Sequence, residues 1–306
     1  MADPLLGARQ RETDGTQLDQ AGIVVAEHDR VGHASQYRVP PWAMAPSLEV
    51  HDLGDGVPLL MVQTGLTADE LLPLALQPDL AGHRRLVLHR RGYAGSPPPH
   101  PVPSIATDAD DCVVLLDELG LDRAHVLGYS YSAAVALDLA AAHPDRVASL
   151  VLLEPPPSVS EHRAAFLEVV SDLLELRREQ GVEAALDAFL AMQAPPEWWA
   201  ALEPVVPDAR AQVRRDAATF LGADLPALLA WTFTAVDAAR VRCPVLHVGG
   251  DASGPWWAAV RRQVLAWFPD AADVVVAGAD HGLAVSHAAA VAAAVGRFLR
   301  EPGGGQ

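Results

Sequence analysis

Between the short apolar run His125-Val126-Leu127 and the alanine- and leucine-rich stretch beginning at Ala133 stand five residues, Gly128-Tyr129-Ser130-Tyr131-Ser132. The first run, bounded by glycine, predicts a buried strand; the second, free of Gly and Pro, predicts a helix. A chain that passes from strand to helix in so few residues must turn sharply. A serine at the tip of such a turn exposes its hydroxyl beside the free N–H groups of a helix N-terminus. Ser130 is therefore a candidate nucleophile presented next to an anion site. A serine hydroxyl is too weak at its free pKa and needs an adjacent base.

Composition narrows the chemistry. The 306 residues suffice for a large core, half are hydrophobic and 20% are charged, which suits a globular protein. Lys and Arg total 22 against 39 Asp and Glu, a formal charge of −17. That balance disfavours nucleic acid and anionic membrane as partners. Every one of those cations is arginine, so Schiff-base chemistry, lysine-anchored pyridoxal phosphate and a P-loop are excluded. The two cysteines, Cys112 and Cys243, do not make a disulfide framework and are expected as free thiols. The sequence contains neither a basic-then-apolar leader nor a run of about 18 apolar residues. A cytoplasmic protein, monomer or homodimer, with a small-molecule substrate is the expectation.

The chain is expected to order its elements around Ser130 as follows. Residues 1–46 form an N-terminal extension, polar and poorly ordered at its start, with weak strand character at 23–25 and 37–39. Ser47–Asp52, a Gly54-Asp55-Gly56 turn and Val57–Val62 predict a hairpin leading into a buried strand. Arg85–His89, His125–Leu127, Ser149–Leu153, Pro244–Val248 and Ala272–Ala277 predict further strands. Helical patterns lie between them, one starting at Thr107 and stopping at Gly120. From about 158 to 240 the periodicity is helical only, with segments at 164–180, 182–192, 208–221 and 227–236. Strands alternating with helices predict an α/β protein, its central sheet mostly parallel and covered on both faces. The core then comprises 47–157 and 241–300, with a helical cap at 158–240 and a flexible tail at 301–306.

Over roughly residues 47 to 300 the chain resembles the α/β-hydrolase fold superfamily. The resemblance rests on the turn around Ser130, on Arg91-Gly92-Tyr93-Ala94-Gly95-Ser96, on Gly278-Ala279-Asp280-His281, and on the strand order with a helical cap after the sixth strand. The family turn usually reads Gly-x-Ser-x-Gly; here its last glycine is Ser132. The resemblance implies a serine hydrolase with a helical cap: Ser130 as nucleophile and His281 as general base on the loop after the last strand. Two carboxylates satisfy the order serine, acid, histidine, and both follow a buried strand. Glu154 is favoured by a small margin over Asp251. The oxyanion hole is expected from the backbone amides of Tyr131 and Leu66, with Thr64 the alternative to Leu66. The usual His-Gly of that second loop is replaced by Gln63-Thr64-Gly65.

Thr64, Tyr129, Trp198 and Trp199 are candidate substrate-binding residues; Trp231, Trp256 and Trp257 also lie in or near the cap. Arg91 is expected to be structural. No spacing suggests a metal site, and no cofactor is expected. The function implied is hydrolysis of an ester, thioester or lactone of a small, largely apolar molecule. The alternatives are a lyase or cyclase using the same pocket, or an inactive ligand-binding relative.

Overall fold

The computed structural model describes residues 48–300; the extension expected at 1–46, the strand character expected at 23–25 and 37–39, and the tail at 301–306 lie outside them. Among the described residues seven strands form one sheet: β1 (Val50–Leu53), β2 (Val57–Val62), β3 (His83–Leu88), β4 (Ala124–Tyr129), β5 (Val147–Leu153), β6 (Val245–Gly250) and β7 (Ala272–Val276). Their spatial order is β1-β3-β2-β4-β5-β6-β7. β1 runs antiparallel to β3, and every other neighbouring pair is parallel.

The expected hairpin does not form. β3 lies between β1 and β2, with Val50 opposite Leu88 and Val57 opposite His83. Leu59 to Val62 are wholly buried, so β2 needs a parallel partner on each side, and β1 is displaced to the edge. Gly54 and Gly56, at φ +75° and +112°, carry the chain across β3 instead of folding it back.

Among the described residues twelve α-helices cover and extend the sheet: α1 (Leu72–Ala75), α2 (Ile105–Glu118), α3 (Tyr131–Ala142), α4 (Arg163–Gln180), α5 (Val182–Gln193), α6 (Pro196–Leu202), α7 (Ala209–Thr219), α8 (Leu225–Ala230), α9 (Ala235–Ala238), α10 (Pro255–Trp267), α11 (Leu283–Ser286) and α12 (Ala288–Arg300). Strand side chains alternate between two cores, as the period of two requires. Leu60, Val62, Val126, Leu150 and Leu152 pack on α2, α3 and α10. Leu59, Met61, Leu127, Val151 and Val248 pack on α1, α11 and α12. α2 begins two residues before the expected Thr107, because Ser104 caps it in a box with Thr107.

Between β5 and β6 the chain is helical; the helical stretch was expected after the sixth strand, and among the described residues it follows the fifth. α4 to α8 share a third apolar cluster that includes Trp198, Trp199, Leu202 and Leu221 and reaches Leu66 and Val285 of the core. α6 was not foreseen: its seven residues, entered through Pro195-Pro196, are too few for a periodic signal. The segment expected at 208–221 breaks at Thr219 into a π-helical turn, Phe220–Asp224, that runs directly into α8.

Candidate active site

Ser130 sits where β4 becomes α3, at φ 52° and ψ −117°. That backbone conformation costs on the order of 1–3 kcal/mol for a residue with a Cβ. It is held by the Ser130 amide, which donates to Leu153 O of β5, and by the buried first turn of α3 that follows it. Gly128 is required: a Cβ there would stand 2.3 Å from Ser132 O and 2.7 Å from Ala133 Cα. Ser132, in the place of the usual second glycine, is accommodated because its hydroxyl closes on its own turn. It accepts from Tyr129 N at 2.9 Å and donates to Tyr129 O at 3.1 Å.

The loop after β7 carries His281 over this turn. Its Nε2 lies 3.0 Å from Ser130 Oγ, and its Nδ1 lies 2.7 Å from Glu154 Oε2. The Trp257 indole stacks on the imidazole with ring centroids 4.1 Å apart. Glu154 ends β5 with φ +42° and is 1% exposed. Burial alone would push its carboxyl up. The bond from His281 and the 2.8 Å bond from Gly250 N–H outweigh burial and hold it below the usual carboxylate range. The structure brings Ser130, His281 and Glu154 together. It does not bring Asp251: that side chain is exposed and accepts from Gly278 N–H at 2.7 Å.

Leu66, expected to offer its amide to the reacting oxygen, spends it elsewhere. Its N–H donates to the Tyr93 hydroxyl at 3.2 Å, with φ +76° turning it away. Among the described residues the amides of Thr64, Gly65 and Tyr131 have no acceptor. All three residues line the cavity that opens above Ser130.

That cavity has a volume of about 220 Å³. Ser130 and His281 are at its floor, and its walls come from α4, α5, α6, the π turn and α10, with Phe166, Trp198, Phe220, Trp256 and Trp257 among them. Of the candidate substrate-binding residues, Thr64, Tyr129 and Trp198 line it. Trp199 does not: it faces the interior of the helical insertion, edge-on to Trp198 and under the Arg210 guanidinium. Trp231 is also outside, donating its indole N–H to Asp138. Trp198 and Trp199 leave α6 about 100° apart, and here only the first is turned to the cavity.

An alpha/beta hydrolase fold family matches residues 58–180. The described residues superpose on an esterase from Thermogutta terrifontis with a TM-score of 0.69, at 22% identity, over 83% of this chain and 93% of that one. A hydrolase from Pseudomonas aeruginosa gives 0.63 at 27% identity, over 84% of this chain and all of that one. The protein is an α/β-hydrolase-fold protein. A relative from Pseudomonas savastanoi named as a carbamate hydrolase, RutD, is 31% identical over 151 residues, 47% of this chain and 55% of its own. The chain spans about half the length of two such carbamate hydrolase relatives, from Pseudomonas savastanoi and Variovorax paradoxus, and 34% of a third, from Caulobacter vibrioides.

This α/β-hydrolase-fold chain holds a buried ionic network that sequence inspection missed. Arg91, expected to be structural, pairs with Asp111; its neighbour Arg90 is the more consequential residue. Arg90 is 3% exposed and bonds Asp224 Oδ2 at 2.6 Å, Asp108 Oδ2 at 2.9 Å, Gln63 O at 2.9 Å and Thr64 O at 3.0 Å. It stacks 4.2 Å above the Tyr131 ring, whose hydroxyl donates to Asp108. Tyr93 donates to Asp224. One guanidinium thus ties the loop after β2 to the start of α3 and to the π turn. Burial opposes the Arg90 charge, but Asp224 and Asp108 outweigh it and hold the group protonated. Burial pushes the Asp108 carboxyl up.

No metal ligands were expected from spacing, yet His51, Asp69 and His89 bring ligand atoms within 4.8 Å of one another. The Asp69 carboxylate accepts from both imidazoles, at 2.8 and 2.9 Å, and from Gln212 at 2.7 Å. Burial raises its pKa, and these bonds outweigh burial and lower it. Three residues from β1, the β2–α1 loop and the end of β3 meet there only because β1 crosses to the far side of β3. Among the described residues no helix is long and apolar enough to cross a membrane.

Proposed function

We infer that the protein is a serine hydrolase that transfers the acyl group of a small, largely apolar ester, thioester or lactone to water. One observation carries this reading: a single imidazole lies 2.7 Å from a buried carboxylate and 3.0 Å from the hydroxyl of a strained elbow serine. Glu154, ionised, accepts the Nδ1 proton of His281, which leaves Nε2 free to accept from Ser130. As Oγ attacks the carbonyl carbon, its proton passes to Nε2. The carbonyl oxygen becomes anionic against the Tyr131 amide at the start of α3 and an amide of Thr64 or Gly65, in place of the engaged Leu66.

The imidazolium then gives its proton to the departing alcohol, thiol or lactone oxygen, leaving an acyl ester on Ser130. Water enters, yields a proton to Nε2 and attacks the acyl carbon. Collapse returns the proton to Oγ and releases the acid. The aliphatic and aromatic cavity walls suit an apolar acyl chain, and the printed names of the three relatives, esterase, hydrolase and carbamate hydrolase, accord with acyl transfer. Serine at position 130 excludes the aspartate ester that fold relatives with an acidic nucleophile would form.

The unusual Gln63-Thr64-Gly65 loop is the feature that favours a lyase or cyclase instead. The Gln63 side-chain oxygen accepts from Arg90 N and its carbonyl accepts from the guanidinium, which leaves its Nε2 buried without an acceptor. Turnover of 4-nitrophenyl butyrate in water enriched in oxygen-18 separates these readings. The acid released is expected to carry one solvent oxygen. In the same assay Glu154→Gln is expected to lose about 10³- to 10⁴-fold in kcat. Asp251→Asn, which only weakens an exposed bond to Gly278, stays within a few-fold. Equal, small losses in the two variants would remove the Ser130–His281–Glu154 mechanism.

A further inference from the structure

One ionisable group in the cavity has no part in that mechanism. Glu70, on the loop between β2 and α1, lines the same cavity as Ser130 and His281 and is 7% exposed. Its carboxyl has the Trp198 indole as a hydrogen-bonding neighbour, and among the described residues no cation pairs with it. No arginine is among the described residues that line the cavity, and the chain contains no lysine. An uncompensated buried carboxyl is costly, and its retention in a pocket walled by Trp198, Trp256, Trp257 and Phe166 makes a defined chemical environment. Aromatic faces and a carboxyl together favour a cation and disfavour an anion. The chain's formal charge of −17 acts at long range in the same direction.

We propose that Glu70 and the tryptophan walls form a subsite for a cationic nitrogen, so that the preferred substrates are esters carrying an ammonium group. This rests on the hydrolase reading above and names its substrate class. A carboxylate- or phosphate-bearing substrate would meet no cation there and a like charge.

The carboxyl is also poised to titrate. Burial pushes Glu70 up to about 8, with the Trp198 bond pulling weakly the other way. The ionisable groups that share its surroundings are Tyr129, Tyr131, His281 and, through Tyr129, Glu154 and Asp280. Below about pH 8 Glu70 is neutral in the empty pocket, and above it the group is an anion. Preference for a permanent cation must therefore grow as the pH rises through 8. A neutral isostere used as the reference cancels any pH effect on the chemical step that the two substrates share.

The test uses two isosteric pairs that differ only in charge. In the first the alcohol is choline or 3,3-dimethylbutanol, both as butyrate esters. In the second the acyl group is 4-(trimethylammonio)butyrate or 5,5-dimethylhexanoate, both as 4-nitrophenyl esters. In at least one pair the wild type is expected to favour the cation by about 10- to 100-fold in kcat/KM at pH 8.5, a ratio that falls toward pH 6. Glu70→Gln is expected to keep the rate on the neutral ester, lose most of the preference and show a ratio flat with pH. Glu70→Asp, which retains the charge, is expected to restore part of it. A ratio near one for both pairs, with the neutral esters still hydrolysed, overturns the cation subsite and leaves the hydrolase reading standing. No hydrolysis of any of the four esters overturns both.

Discussion

Ser130→Ala is expected to lower kcat on 4-nitrophenyl butyrate by about 10⁴-fold or more while leaving KM within a few-fold. The loss is large because no second nucleophile is available. Ser132, two residues on, is wholly buried, and both of its hydrogen bonds are committed to the backbone of Tyr129. His281 would still face the carbonyl but would have no hydroxyl to deprotonate, and water would need to find the same trajectory unaided. The fold is expected to survive. Alanine meets the same steric cost at φ 52° as serine does, and the Ser130 side chain makes no bond other than that to His281 Nε2. A residual rate above that of water, from the oxyanion amides alone, fits the mechanism; retention of a tenth of wild-type kcat contradicts it.

Arg90→Met carries the largest expected cost to stability. Methionine fills the aliphatic path of the arginine but leaves two carboxylates, the buried Asp224 and the part-buried Asp108, without their cation. Removing one partner from a buried ionic group typically costs about 3–5 kcal/mol, and urea denaturation monitored by tryptophan fluorescence reads it directly. Activity should fall as well, through kcat more than KM. The guanidinium holds the carbonyls of Gln63 and Thr64 and stacks on Tyr131, so both sides of the oxyanion site lose their common anchor. Those amides matter most when charge develops. Adding Asp224→Leu to Arg90→Met is expected to recover part of the stability, because one stranded charge is removed, and to recover little kcat. A change below about 1 kcal/mol in the single variant would show that the network is incidental.

How much of this was legible in the sequence depended on whether a feature was local. The turn at Ser130 is local: a strand pattern, five residues and a helix pattern constrain the backbone, and Gly128 marks the contact that forces its shape. Glu154 and His281 could be placed because the first directly follows an apolar run and the second lies on the short loop after one, so each falls at the carboxyl edge of the sheet. Choosing Glu154 over Asp251 required the positive φ at the end of β5, which no pattern announces. Leu66 was misassigned for a non-local reason. Its amide is captured by Tyr93, 27 residues away, whose hydroxyl is itself oriented by Asp224 in the helical insertion.

The same distance hid Arg90 and Glu70. Arg90-Arg91 reads as an ordinary charged loop until α2 and the π turn close over one of the two residues. Glu70 in Thr67-Ala68-Asp69-Glu70-Leu71 looks like a solvated helix start, and only the insertion makes it a buried wall. The hairpin failed because hydrophobic alternation and a glycine turn describe strand and corner but not which neighbour a strand takes. β2 is buried on both faces, and the wholly apolar run Leu59–Val62 was the available signal that an edge hairpin partner would not suffice.

The central claim is that Ser130 is the activated nucleophile, and covalent labelling tests it most directly. A fluorophosphonate reacts with a serine only where a base deprotonates the hydroxyl and amides receive the phosphoryl oxygen, which makes it a probe of the assembled site. Wild-type protein treated with the probe is expected to gain one phosphonyl group per chain by intact mass, mapped by peptide fragmentation to Ser130. Ser130→Ala is expected to gain none under the same conditions. Labelling that maps to another residue, or that persists in Ser130→Ala, would contradict the account.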